Sequence, residues 1–474
     1  MRKSSRQTSR RRRTPKRLSD NPFLVRDAVA TMPLPVPVAE PQISIVRFRG
    51  SAFMANRDEP IHRWIPWIAG FSTVFVEDCL TAFLPHRTAR RSLVLDPFAG
   101  VGTTLVTAIA NGHDAVGFEI NPYAVLASRV KAVSPTLDVK SLNHYRGEYE
   151  TFCRNGFRAA TGVRPPEFVT RIPFFSPAVE KQVFGFLTYV DSIKDQAIAD
   201  LFRLAFGAVM VSFSNYTYEP SLCSRPGAGK SLIENADVHG QVRRRLAEMA
   251  LDIRWFQDDL AQKCEPGTAT VHEMSFMDSR NVLAPGSVDL AVTSPPYMNN
   301  YHYVRSTRPH LFWLNLISSR AALRKLEQEN IGKYWQTVRD AKPIRLDISD
   351  PKLDALLDAI RSTRTAEGAY GGPGWANYVA TYINDSNRFL ATLKPSLNRG
   401  ATVVIVIGNS IIQGHEIKVD RILVALAERL GYDIVGNESL RTKRVGSSIT
   451  KSAVRRGQTS PAALYENAVI LRKR

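Results

Sequence analysis

The chain has little cysteine and no long apolar run, and these absences restrict the class of protein. Its four cysteines, at positions 79, 153, 223 and 264, form no CxxC pair, so neither a disulfide framework nor a zinc knuckle is indicated. The nine histidines show no HxxxH or similar spacing, and we expect no metal. No apolar run reaches the roughly 18 residues that span a membrane, and no secretory leader is visible. We therefore expect a cytoplasmic protein without a membrane partner.

The net charge of +19 lies almost entirely at the two ends of the chain. Residues 1–17 carry nine Lys/Arg and no acid, and residues 441–474 carry nine Lys/Arg and one acid, which leaves +2 for the 423 residues between them. Two interpretations of 1–17 stay open: an arm that contacts nucleic-acid phosphates or a disordered solubilising tail. The loop at 441–456 is a second candidate for phosphate contact.

A glycine-containing turn follows the first strongly apolar segment. The segment LVLDPFAGVGTT (93–104) predicts a strand that ends at Asp96, a turn of small residues and then a helix. Gly100 and Gly102 allow the backbone to approach a ligand, and the helix N-terminus offers free N–H groups. The next strand ends at Glu119, where an acid is placed to accept hydrogen bonds from two ribose hydroxyls. Leu105 stands where a dinucleotide fingerprint has its third glycine, which disfavours nicotinamide.

A second apolar strand, VDLAVTSPPY (288–297), stops at a Pro-Pro turn. This turn offers the Ser294 hydroxyl, carbonyls fixed by prolines and the aromatic face of Tyr297. A flat ring that bears an amine suits this set, since the oxygens can accept from its NH2 while the tyrosine stacks on it. The alternative is that Pro-Pro only ends the strand. The segment after it (299–314) either packs as an ordinary helix or walls the pocket with Tyr301 or Tyr303.

Taken together, DPFAGVGTT, GFEINPYA (117–124) and TSPPY resemble the amino-methyltransferases of DNA, which methylate exocyclic nitrogens with S-adenosylmethionine. The resemblance covers roughly 50–130 and 268–440. PIHRWIPWIAGF (60–71), in a predicted helical segment at about 60–84, occupies the position of the family's helical segment before the glycine motif. The SPPY form is commonest in the cytosine-N4 branch, whereas Asp or Asn more often precedes PPY in adenine-N6 enzymes. No cysteine follows a proline, which disfavours carbon-5 methylation.

The resemblance implies two sets of site residues. Asp96, Phe98, Gly100 and Gly102 would line the methionine end of S-adenosylmethionine, Glu119 would hold its ribose, and Asp278 would meet its adenine amine. The complete cofactor set is Asp96, Phe98, Gly100, Gly102, Thr103, Glu119, Asn121 and Asp278, and the catalytic set is Ser294, Pro295, Pro296 and Tyr297.

The resemblance also implies the substrate, a base flipped out of double-stranded DNA. Cytosine N4 is favoured; adenine N6, an exocyclic amine in RNA, and a non-catalytic nucleic-acid-binding module stay open as alternatives. A restriction endonuclease partner is possible.

Strands that alternate with helices predict an α/β fold with a doubly wound, mostly parallel sheet. In the implied architecture the sheet is Rossmann-like, its last strand is antiparallel, and a mainly helical insertion interrupts it. The predicted divisions are a disordered basic, Pro-rich arm (1–45), a cofactor-binding half (46–132), an insertion that is a candidate for target recognition (133–267), and a catalytic half (268–474) with a possible second insertion at 318–372.

Overall fold

The computed structural model describes residues 46, 48–67, 70–84, 90–155, 164–165, 167–218, 221–299, 301–363, 374–443 and 463–474. The predicted basic arm (1–45) and most of the basic loop at 441–456 lie outside the described residues. In the part of the chain that is described, no helix is both long and apolar enough to cross a membrane. The same residues include no group of three or more His, Cys, Asp or Glu side chains arranged to hold a metal ion.

Eleven strands and thirteen helices are described in this part of the chain. The strands are β1 (Leu93–Asp96), β2 (Asp114–Glu119), β3 (Tyr216–Tyr218), β4 (Leu222–Ser224), β5 (Ala269–Glu273), β6 (Val288–Thr293), β7 (Leu397–Gly408), β8 (Ser410–Ile412), β9 (His415–Ile417), β10 (Tyr432–Lys443) and β11 (Leu464–Lys473). The helices are α1 (Thr73–Phe83), α2 (Thr103–Ala110), α3 (Pro122–Ala132), α4 (Val139–Arg154), α5 (Pro177–Ser192), α6 (Gln196–Val209), α7 (Val238–Lys263), α8 (Tyr303–Trp313), α9 (Arg320–Glu329), α10 (Trp335–Val338), α11 (Pro351–Ser362), α12 (Gly374–Ser396) and α13 (Val419–Arg429).

Seven of these strands form one sheet in the order β10-β11-β7-β6-β1-β2-β5. The pairs from β7 to β5 are parallel, whereas the last strand, β11, lies antiparallel between β7 and β10. The chain leaves β1 toward β2 on one side and returns to β6 on the other, so β1 and β6 flank a topological switch point, where ligands bind in open α/β sheets. This arrangement confirms the predicted α/β fold and its antiparallel last strand.

Both faces of the sheet are covered, which explains why its strands are apolar without interruption. Successive side chains of a strand point to opposite faces. Val94 and Leu290 accordingly join the core with α1 and α2, while their neighbours Leu95 and Ala291 join the core with α12 and α13.

The predicted insertion (133–267) is mainly helical, as expected. It contains α4 to α7 and the short hairpin of β3 and β4. Its helices share a core that includes Phe202 and Phe206 of α6 and Met249 of α7, and this core extends to Tyr123 and Val130 of α3. The insertion therefore packs directly on the helix that follows the Glu119 strand.

The helical segment predicted at about 60–84 is helical only in its second half. The α-helix begins at Thr73, and two short 3-10 helices, Phe53–Arg57 and His62–Trp64, come before it. Ile61 has a φ of 65°, a value that a β-branched residue rarely adopts, and prolines at 60 and 66 flank it. This backbone cannot continue as an α-helix, so the first half of the prediction was wrong.

Candidate active site

The two motifs that lie far apart in the sequence meet at the carboxyl ends of β1 and β6. These strands are adjacent and parallel, with Val94 opposite Leu290, so their last residues lie at the same edge of the sheet. The Oγ1 of Thr293, the first residue of TSPPY, donates a hydrogen bond of 2.6 Å to Oδ1 of Asp96. The glycine motif and the Pro-Pro turn therefore form one site.

A cleft opens at this edge of the sheet. It measures about 950 Å³ when its solvent-open part is counted. Among the predicted site residues, those that line it are Asp96, Phe98, Gly100, Thr103, Glu119, Asn121, Ser294 and Pro296. Gly102, Asp278, Pro295 and Tyr297 are not among the lining residues.

Glu119 ties the glycine turn to the start of α3. Its Oε2 accepts from the Gly100 N–H at 3.0 Å, and its Oε1 accepts from the Asn121 N–H at 2.7 Å. Burial raises the pKa of Glu119 to about 7, against the lowering effect of these backbone hydrogen bonds. An ionised carboxylate has about four acceptor positions, and the backbone N–H groups of Gly100, Ile120 and Asn121 use three of them, so one position remains for a ligand. Asn121 itself caps α3 by accepting from the Tyr123 N–H.

Asp96 is buried at the end of β1, with 2% of its surface exposed. Besides Thr293, its Oδ1 accepts from the Phe98 N–H at 3.0 Å. Burial raises the pKa of Asp96 to about 6, and the hydrogen bond from Thr293 is the largest effect that opposes this rise. Two acids of raised pKa thus face one cleft, a pattern that is enriched at functional sites.

Ser294 presents a buried hydroxyl next to Tyr297. Its Oγ is buried and has no hydrogen-bond partner in the described part of the chain. The carbonyl of Pro296, by contrast, accepts from the Tyr382 hydroxyl at 2.7 Å, which fixes the turn to α12. An unpaired buried hydroxyl costs roughly 1–3 kcal/mol, and a ligand that enters the cleft can remove that cost.

Tyr297 lies behind the turn, beside the antiparallel strand β11. The ring packs beside Gly408 of β7, where a built Cβ would lie at an ordinary contact distance of 3.5 Å from it. Burial, followed by the nearby carboxylate of Glu466, raises the pKa of Tyr297 well above its usual range. Glu466 is also buried and accepts from Arg441 across the strand pair.

Gly102 is placed for packing between helices. It precedes α2 with a φ of 83°, and a Cβ built there would lie 2.9 Å from the Cβ of Ser128 on α3. Gly100 differs, since its φ is 50° and the nearest atom to a built Cβ is Nε1 of Trp67, a residue that lines the cleft. The two glycines of the motif therefore have separate roles.

We expect Gly102→Ala to lower the free energy of unfolding by roughly 1–2 kcal/mol, because a side chain is strained in the left-handed region and would press on Ser128. The matched control is Gly147→Ala in the middle of α4, where nothing lies within 4 Å of a built Cβ. That change should stabilise the protein by roughly 0.5–1 kcal/mol. Denaturant unfolding measures the free energy of unfolding of both variants. If the Gly102→Ala protein were as stable as the wild type, the packing role of Gly102 would be contradicted.

Asp278 lies apart from the lining residues. Its carboxylate is 59% exposed and pairs with Arg388 of α12 at 2.7 Å. The four residues before it, Met274 to Met277, line the cleft instead. The 3-10 turn Phe276–Asp278 directs Phe276 inward, where it packs against Phe118 at a ring distance of 5.1 Å.

Several lining residues were not predicted from the sequence. Phe53, Trp67 and Phe71 come from the segment before β1, and Asn330 and Ile331 come from the region after α8. The aromatic-rich WIPW stretch was a usable signal for Trp67. Nothing in the sequence around Asn330 and Ile331 marks them as cleft residues.

The cleft fits S-adenosylmethionine on three observations. The Glu119 carboxylate retains an acceptor position for a ribose hydroxyl, and Phe118, Phe276 and Met277 provide an apolar wall for a flat ring. The bare backbone of Gly100, whose N–H donates to Glu119, and Thr103 at the start of α2 also line the cleft.

Comparisons with known proteins agree with this geometry. Residues 53–129 match the family model described as DNA methylase. The chain is 25% identical over 432 residues to the Type II methyltransferase M.BsoBI of Geobacillus stearothermophilus, covering 84% of this chain and 83% of that protein. It is 21% identical over 425 residues to the Type II methyltransferase M.AvaI of Nostoc sp. (strain PCC 7120 / SAG 25.82 / UTEX 2576), covering 81% of each.

Among solved structures, the rRNA methyltransferase aviRa from Streptomyces viridochromogenes has a TM-score of 0.29 and 9% identity, with 86% of each chain covered. That similarity is too weak to support an argument. The conclusion depends instead on the three motifs, the sheet that brings them together and the matched DNA methylase model. Together they support an S-adenosylmethionine-dependent DNA amino-methyltransferase.

Proposed function

We propose that the protein methylates the exocyclic N4 of cytosine in double-stranded DNA, at a base flipped out of the helix. The observation that carries the proposal is the buried, unpartnered Oγ of Ser294 at the tip of β6, on the wall of the cofactor cleft. The SPPY form of the turn favours cytosine over adenine. A flipped base costs a few kcal/mol to extrude, and contacts at the turn offset that cost.

The turn activates the amine. The nitrogen of cytosine's NH2 shares its lone pair with the ring, so it is a poor nucleophile. One amine hydrogen donates to Ser294 Oγ and the other to the Pro295 carbonyl, since the Pro296 carbonyl is already bonded to Tyr382. These bonds favour a tetrahedral nitrogen with a localised lone pair. When bound, S-adenosylmethionine supplies the electrophilic methyl group on its sulfonium.

The cofactor residues have distinct proposed roles. Glu119 accepts from the ribose hydroxyls, while Asp96, Phe98, Gly100 and Thr103 border the methionine end. Asn121 orients Glu119 through its backbone N–H. Gly102 and Asp278 act indirectly, Gly102 by allowing α2 to approach α3 and Asp278 by pairing with Arg388.

A second cavity is the proposed entry for the base. It shares Trp67 and Tyr303 with the cofactor cleft, and Tyr301 and Tyr218 add further aromatic faces. The hydroxyls of Tyr301 and Tyr218 both bond to Ser306 of α8, at 3.1 and 2.8 Å. Because Tyr218 belongs to the insertion, we propose that 133–267 is the part that approaches the target sequence.

Tyr297→Phe should keep most of the turnover, because we propose that the ring stacks on the base, which is worth roughly 1–3 kcal/mol, while the hydroxyl meets Ser294 and Glu466 within the protein. Tyr297→Ala should lower kcat and leave the affinity for S-adenosylmethionine nearly unchanged. Single-turnover methylation and cofactor calorimetry on both variants test this. An inactive Tyr297→Phe would assign the chemistry to the hydroxyl and overturn the stacking role.

The proposed function is tested by product analysis. The protein is incubated with labelled S-adenosylmethionine and either duplex DNA of mixed sequence or tRNA, and the product is digested to nucleosides. N4-methyldeoxycytidine from DNA supports the proposal, whereas N6-methyldeoxyadenosine would assign the adenine branch. Label only in tRNA would assign an RNA enzyme, and no label in either would favour a non-catalytic module. A restriction endonuclease partner that cuts the methylated site stays a prediction.

A further inference from the structure

A single carboxylate of the helical insertion holds the segment before β1. Asp252 of α7 is 2% exposed and accepts from three residues of that segment. Its Oδ2 accepts from the Ile61 N–H at 3.1 Å, from Arg63 Nε at 3.0 Å and from Trp64 Nε1 at 2.9 Å. Its Oδ1 accepts from Arg63 Nη2. Four hydrogen bonds from Ile61, Arg63 and Trp64 thus converge on one carboxylate. Asp252 lies 191 residues after Ile61 in the sequence.

The segment held in this way has a strained backbone. Ile61 has a φ of 65° and a ψ of −49°, a conformation that persists only when surrounding contacts enforce it. Ile61 and Trp64 are fully buried in the core they share with the insertion helices. The Nζ of Lys131 on α3 adds a second anchor by donating to the His62 carbonyl at 3.3 Å.

This segment leads directly into the wall of the cofactor cleft. Trp67, three residues after Trp64, lines the cleft and also the second, aromatic cavity. Its Nε1 lies 3.1 Å from the position of a Cβ built on Gly100, so the indole packs on the backbone of the glycine turn. A shift of the segment from Ile61 to Trp64 would therefore move Trp67, which lines both cavities.

We propose that Asp252 is a positioning residue for the cofactor cleft: through Ile61, Arg63 and Trp64 it fixes the Trp67 wall against Gly100. The insertion is then part of the cofactor site as well as a neighbour of the base cavity. This inference rests on the proposed assignment of the cleft to S-adenosylmethionine. Asp252 is not among the residues that line either cavity, and its effect passes through the segment that it holds.

Asp252→Asn is the first test. The amide has the size of the carboxylate, but its NH2 cannot accept from N–H donors, so part of the four-bond cluster is lost. With fewer molecules in the binding-competent arrangement, the Kd for S-adenosylmethionine should rise about tenfold. The KM for the cofactor should rise in parallel, while kcat at saturating cofactor changes less than about twofold. The matched control is Asp258→Asn, an exposed acid on the same helix, which should leave the Kd unchanged.

Arg63→Gln is a second, milder test in case Asp252→Asn does not fold. Arg63 is partly exposed and also lies 3.5 Å from Glu248, so its loss removes two of the four bonds without emptying the core. We expect the Kd to rise about threefold. Lower thermal stability with an unchanged Kd in the variants that fold would overturn the positioning role. Glu119→Ala separates the two hypotheses: if it binds cofactor as tightly as the wild type, the assignment of the cleft fails first.

Discussion

Ser294→Ala is expected to lower kcat by about 10²–10³-fold, the loss found when one preorganised hydrogen-bond partner of a transition state is removed. The hydroxyl lies at the tip of β6, is buried, and has no partner in the described chain. It can therefore accept a hydrogen bond from a substrate amine. The Kd for S-adenosylmethionine should change less than about twofold, because the hydroxyl acts on the base.

The control for this change lies on the same strand. Ser287 directly precedes the opposite end of β6, and its hydroxyl donates to the Ala284 carbonyl at 2.7 Å. Ser287→Ala removes a hydroxyl beside the opposite end of β6 and should leave kcat unchanged. Rapid-quench methylation with saturating cofactor gives kcat for both variants. A Ser294→Ala protein with wild-type turnover would remove Ser294 from the mechanism and with it the main support for the proposed chemistry.

The convergence of the two motifs could be predicted from the sequence. Asp96 and Thr293 each end an apolar strand, and parallel strands in a doubly wound sheet present their carboxyl ends at one edge. The predicted strand ends at Asp96 and Glu119 agree with the observed ends of β1 and β2. Apolar strands that are buried on both faces carry a strong local signal, because every residue in them is constrained by packing.

Contacts between distant parts of the chain could not be predicted. The position of Asp278 depends on Arg388, which lies 110 residues later, and the role of Gly102 depends on Ser128 of the next helix. The left-handed Ile61 depends on Asp252 of the insertion. In each case a local pattern is compatible with several placements, and a tertiary partner selects one of them. Neither composition nor periodicity specifies that partner.

Glu119→Ala should weaken S-adenosylmethionine binding by about 1.5–3 kcal/mol, the scale of a lost charge-assisted hydrogen bond, which is roughly a 10- to 100-fold rise in Kd. The structure adds a second effect to this loss. Glu119 also accepts from the N–H groups of Gly100 and Asn121, so the alanine variant loosens the glycine turn. Glu119→Gln keeps one side-chain oxygen and should weaken binding less.

The affinity should also depend on pH near neutrality. Burial raises the pKa of Glu119 to about 7 in the free protein, and ribose hydroxyls donate to the ionised carboxylate. Binding therefore favours the deprotonated form, so the affinity should be highest above pH 7 and fall as the pH drops below it. The limit is about tenfold in Kd per pH unit, since one proton is displaced. Asp96, with a pKa of about 6, also faces the cleft, so a variant is needed to isolate Glu119.

Glu119→Gln provides that isolation, because an amide does not titrate and the part of the pH dependence centred near pH 7 should disappear. The matched control is Glu273→Gln. Glu273 ends the neighbouring strand β5 directly opposite Glu119, yet its side chain is 46% exposed and faces Arg129. It is not among the lining residues of the cleft. Calorimetric titration with S-adenosylmethionine from pH 6 to pH 8 should therefore show a changed pH dependence of the Kd in Glu119→Gln and an unchanged one in Glu273→Gln. Equal affinity and equal pH dependence in wild type and Glu119→Gln would exclude Glu119 as the residue that holds the ribose.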